Sequence, residues 1–105
     1  MAVEIVTYES YDKCFESLTR MGADMETLRR ILEHEKRHFE KAVRLGYNPL
    51  YGIRMVVDSP PAILAGYVEF DGRVPIGQDM IDILLAPDKP SPDDLKLVGK
   101  ILSKP

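Results

Sequence analysis

The sequence predicts an α+β fold: two helices near the N-terminus, the second one long, then a small, mostly antiparallel sheet and a C-terminal helix. Three observations carry this. Apolar residues recur at helical spacing from Tyr11 to Leu45. β-branched runs replace that period from Ile53 onward. A Ser91-Pro92-Asp93-Asp94 sequence then has the form of a helix start. With 105 residues, 45% of them hydrophobic and 30% charged, the chain is sized for one domain over 1–105 and can bury a core.

Residues 2–7 are rich in β-branched side chains and predict a short strand or extended arm. Tyr11, Cys14, Phe15, Leu18 and Met21 then fall on one helical face, with Ser10 as N-cap and Gly22 available for a left-handed C-terminal residue. Asp24 caps the second helix and Gly46 ends it, with Pro49 beyond. Met25, Leu28, Ile31, Leu32, Phe39, Ala42, Val43 and Leu45 share its apolar arc. The other face carries Glu26 with Arg30, Glu33 with Arg37 and Glu40 with Arg44, acid before base, and reads as solvated. Residues 53–58 and 62–70 read as strands separated by Ser59-Pro60-Pro61. Asp71-Gly72 predicts a hairpin turn into a short return strand at Arg73-Val74, shortened by Pro75 and Gly77 into an edge. Residues 80–85 read as a further strand. Leu95, Val98, Ile101 and Leu102 give the last helix its apolar side.

Composition excludes several functions. The net charge of −3 argues against a general nucleic-acid or anionic-membrane binder. No apolar run approaches the ~18–20 residues that cross a bilayer. Met1-Ala2-Val3-Glu4 lacks the basic and apolar start of a signal peptide. The single cysteine, Cys14, excludes an intramolecular disulfide and a cysteine-based zinc cluster. The expectation is a soluble, cytoplasmic protein. One Asn and one Gln among many charges match the composition of a thermophile's protein. Gly66, Gly72 and Gly77 have neither the spacing nor the context of a phosphate-binding loop.

One motif carries chemistry. Both histidines of the chain lie in the long helix, in His34-Glu35-Lys36-Arg37-His38. Four-residue spacing stacks the imidazoles on adjacent turns, where both reach one ion. A glutamate directly after the first histidine can stand beside a water held by that ion and act as general base. Chance places two histidines and a glutamate in this pattern about one or two times in a thousand, which singles the motif out. On the helical wheel Glu35 lies within about 20° of Leu28, at the centre of the apolar arc, with His38 inside the arc and His34 at its edge. A carboxylate there is costly unless paired or ligated.

The motif resembles that of zincin-type metallopeptidases. The resemblance covers residues 34–38 and their helical context. It implies zinc as cofactor, His34 and His38 as metal ligands, and Glu35 as the catalytic base. No third histidine exists, so a third ligand has to be an acid, Cys14 or a tyrosine oxygen. Glu69, at the end of a strand, is the first candidate, followed by Asp58, Asp79 and Asp82. Tyr67 shares a strand face with Glu69, where it either polarises a tetrahedral intermediate or packs.

Two functions compete. The first is a minimal zinc-dependent, peptidase-like hydrolase acting on a peptide or protein substrate. The second is a small non-catalytic interaction module that binds a protein partner or a second copy of itself. On that reading Glu35 pairs with Arg54 or Arg73, and the histidines border the core and donate to backbone carbonyls.

Overall fold

Seven elements follow one another in the computed structural model, which describes residues 2–103. They are β1 (Val3–Tyr8), α1 (Tyr11–Arg20), α2 (Met25–Arg44), β2 (Pro49–Val56), β3 (Ala62–Phe70), α3 (Gly77–Leu84) and α4 (Pro92–Leu102). The α+β class holds. Residues 1, 104 and 105 of the expected domain lie outside the described residues.

The three strands form an antiparallel sheet in the order β1-β2-β3. Tyr8 pairs with Tyr51, and Tyr51 in turn with Val68, so β2 is central and buried along most of its length. Residues alternate between the two sheet faces. Tyr51, Ile53 and Met55 point to the face covered by α1 and α2, where they join Cys14, Leu18, Leu28 and Leu32 in the main core. Phe39 stacks flat on Tyr51, with ring centroids 4.3 Å apart. Cys14 is sealed in this core, and burial pushes its thiol up to about 12.

Caps set the helix ends as the sequence predicts. Ser10 Oγ accepts the Lys13 amide, Asp24 Oδ2 accepts the Thr27 amide at 2.9 Å, and Gly22 and Gly46 take positive φ after their helices. Met25 and Val43 depart from the expected apolar arc and are half exposed, because they flank the stripe that faces the sheet. None of the three acid–base pairs expected on the polar face of α2 closes to an ion pair among the described residues; Glu33 accepts the Tyr11 hydroxyl at 3.0 Å instead. Exposed pairs gain too little in water to hold two long side chains in one geometry.

Two expectations fail after β3. Residues 80–85 are not a strand. They belong largely to α3, where Met80, Ile81, Ile83 and Leu84 fall at helical spacing and Gln78 donates to Asp82 one turn on, at 2.8 Å. Arg73-Val74 does not return as a strand either. Gly72 makes the turn at φ 90°, and the chain runs through buried Pro75 into α3, leaving β3 as the sheet edge.

Helices α3 and α4 pack on each other through a small second cluster of Ile81, Leu84 and Val98, backed by Met80 and Ile101. Leu95 and Leu102, expected on the apolar side of α4, are mostly exposed. Among the described residues, no helix is long and apolar enough to cross a membrane.

Candidate metal centre

His34, Glu35 and His38 stand on the face of α2 that turns toward β3, α3 and α4. They form a group that could hold a metal ion, with one ligand atom from each within 4.8 Å of the others. Glu35 and His38 are buried, with 8% and 4% of their surface exposed. β3 approaches α2 closely here because residue 66 is glycine. A Cβ on Gly66 would collide with Ile31 and press on Glu35 Cγ at 3.3 Å.

The tightest convergence includes a residue from the other end of the chain. Asp94 Oδ2 lies 3.1 Å from His34 Nε2 and 3.2 Å from His38 Nε2, and the two Nε2 atoms are 3.3 Å apart. Donors of a tetrahedral zinc site, at about 2.0–2.1 Å from the ion, are about 3.3–3.4 Å from one another. The observed triangle is therefore close to one face of such a tetrahedron. Glu35 belongs to the wider group and stands beside that face.

Two of the three corners, His38 and Asp94, are held by further hydrogen bonds. His38 Nδ1 donates to the carbonyl of Ile83 at 2.7 Å, in the last turn of α3, a carbonyl that also accepts the Ala86 amide at 3.2 Å. That bond puts a proton on Nδ1 and turns Nε2 toward Asp94. Asp94 is the third residue of α4 and closes a capping box: its Oδ2 accepts the Ser91 amide at 2.9 Å while Ser91 Oγ accepts the Asp94 amide. Burial alone would raise its carboxyl. The Ser91 amide, His38, the Ser91 side chain and His34 outweigh burial and hold it below the ordinary carboxylate range. Two imidazole nitrogens and a carboxylate oxygen thus crowd one point, an arrangement that a proton or a metal cation has to neutralise.

Glu35 is in the opposite state. Burial, and then the repulsion of Asp94, push its carboxyl up to about 8. Neither Arg54 nor Arg73 pairs with it. Arg54 is exposed on the other sheet face, and Arg73 lies over the Tyr47 ring at 4.3 Å. A carboxylate placed in the apolar stripe of α2 without an ion-pair partner among the described residues fits a group that handles protons.

Glu69 does not join the cluster. It is exposed, paired with Leu50 across the sheet, and on the face turned away from α2. Tyr67 shares that face; its ring lies across Gly52, where a Cβ would sit 2.5 Å from Cε2, so its side chain packs on the sheet. Asp79 accepts the Tyr47 hydroxyl at 2.6 Å, and Asp82 accepts from Gln78. Sequence reasoning places Asp94 in a helix start and misses its second role, because the contact closes across 56 and 60 residues. No protein-family model, curated protein sequence or solved structure matches this chain.

Proposed function

We propose that the protein is a zinc-dependent hydrolase of peptide or amide bonds, with His34, His38 and Asp94 as metal ligands and Glu35 as general base. The observation that carries this reading is the Nε2–Nε2–Oδ2 triangle, with edges of 3.1–3.3 Å, beside a buried glutamate that has no ion-pair partner among the described residues. Zinc held by His34, His38 and Asp94 would polarise a carbonyl and acidify water. The protein's part is then to orient and to move a proton. The Ile83 carbonyl keeps His38 in the tautomer that presents Nε2. The Ser91 cap keeps Asp94 Oδ2 at the third corner. Glu35 takes the proton of the attacking water and delivers it to the leaving nitrogen. A cation bound beside Glu35 would offset the burial and the Asp94 repulsion that raise its carboxyl and would favour the ionised form a base requires. A cytoplasmic setting, with Cys14 reduced, belongs to the same reading.

Glu35→Gln tests the assignment. Zinc content should stay at the wild-type level while hydrolysis of a peptide or amide substrate falls by about 10²–10⁴-fold, the usual contribution of a positioned acid–base group. Full turnover in that variant would remove Glu35 from its role.

The interaction-module reading has one observation in its favour. The sheet face turned away from α1 and α2 presents Val3 and Ile5, both more than half exposed. It predicts reversible self-association through that face. A sedimentation coefficient that does not change with concentration would remove this version.

A further inference from the structure

Two cavities meet at the histidine–carboxylate cluster, and they differ in chemistry. The first, of about 240 Å³, lies between β3, α3 and α4; Val68, Phe70, Met80 and Leu97 line it together with Glu35 and His38. That volume equals about eight waters and is below the ~300–1,000 Å³ of sites that take a whole drug-sized ligand. It suits one aliphatic side chain. The second cavity, of about 550 Å³, lies on the other flank, with Arg30, Ile31 and His34. Glu35, Tyr67, Asp93 and Asp94 line both.

Arg30 is the one cation among the residues lining either cavity, and it belongs to the second flank alone. It sits one helical turn before His34, is exposed, and makes no ion pair among the described residues. Asp94 is committed to the cluster, and Asp93 stands on the shared ridge. Asp93 lines both cavities and does not distinguish them, so Arg30 is the charge that sets the second flank apart from the first.

We propose that the substrate is a short peptide-like amide. It places an aliphatic side chain in the smaller cavity next to the scissile carbonyl and directs a carboxylate over the other flank toward Arg30. This rests on the hydrolase reading above and specifies its substrate class.

Binding of simple hydroxamates to the zinc-loaded protein tests it without turnover. 4-Methylpentanehydroxamate should bind about ten- to a hundredfold more tightly than acetohydroxamate, the gain expected for burying an isobutyl group. Val68→Phe and Leu97→Trp, which fill the smaller cavity, should erase that gain while acetohydroxamate still binds. The monohydroxamate of glutaric acid should lose about two- to fivefold in Arg30→Gln, as an exposed charge pair would, with 4-methylpentanehydroxamate unaffected. Equal affinity for acetohydroxamate and 4-methylpentanehydroxamate would overturn the inference and leave the metal centre standing. Equal or tighter binding of 6-aminohexanehydroxamate than of the isobutyl probe would also overturn it, since Asp93 would then be the recognising group. Failure to bind zinc or any hydroxamate would overturn the hydrolase reading itself, and the inference with it.

Discussion

The sheet with α1 and α2 is held together differently from the α3–α4 pair. The first region buries Leu18, Leu28, Leu32, Ile53 and Met55 at 2% exposure or less. The second has a cluster of three residues, Ile81, Leu84 and Val98, each still 8% exposed, with Leu95 and Leu102 left in water. The joint between the regions runs in part through polar bonds: His38 to the Ile83 carbonyl, and both histidines to Asp94. A well-packed core supplies the two histidines and Glu35, and a weakly packed helical pair supplies Asp94. The candidate centre is the seam between them. A region with little apolar burial opens at lower free energy than the core, so whatever binds at the seam decides how firmly the pair is closed.

The largest effect should come from the core. Leu32→Ala is expected to cost about 2–5 kcal/mol of global stability, read from denaturant midpoints. A small loss there would contradict the division into a strong and a weak region.

The pH dependence of the metal-free protein should come next. The Glu35 carboxyl is raised to about 8 in the folded chain, against an ordinary 4.5. Between those values the folded state binds a proton that the unfolded state has released, so this group's contribution to stability falls as pH rises through that window. The expected size is on the order of a few kcal/mol. Glu35→Gln should flatten the slope and stabilise the chelated protein at neutral pH. An unchanged slope in urea titrations at pH 5, 7 and 9 would contradict the burial argument.

Zinc should act mainly on the seam. At a free concentration a hundredfold above Kd it stabilises the folded state by about 2.7 kcal/mol. In hydrogen exchange its protection should concentrate in α3, α4 and the 34–38 segment. Uniform protection, or none, would break the comparison. The smallest effect is Val98→Ala. It should cost about 1–2 kcal/mol, felt as faster exchange in α3 and α4 with the core exchange nearly unchanged.

Much of this molecule is legible in its sequence, and the unreadable parts have physical reasons. Ser10, Asp24 and Ser91 announce their helices because capping is a local interaction. Glu35 stands out because a carboxylate in an apolar stripe breaks a local rule. The α3 helix is hidden because Met80-Ile81-Asp82-Ile83-Leu84-Leu85 is a short apolar run, which periodicity alone does not assign to helix or strand. The return strand after Gly72 fails because a turn signal fixes a change of direction and not a pairing partner. Asp94 is visible as the acid of a capping box. Nothing local tells that its carboxylate also faces two histidines, since that contact depends on how α4 docks. Glu69 stands at a strand end, but strand alternation sends it to the face turned away from α2.

The central claim is a metal centre built from His34, His38 and Asp94. The most direct test is elemental analysis of the untagged protein after dialysis without chelator, beside His34→Ala, His38→Ala and Asp94→Ala, with folding of each checked by circular dichroism. The account predicts about one zinc per chain in the wild type and its loss from all three folded variants. A wild type that carries no zinc and takes none up on titration would contradict it. So would an Asp94→Ala protein that keeps its zinc at wild-type affinity.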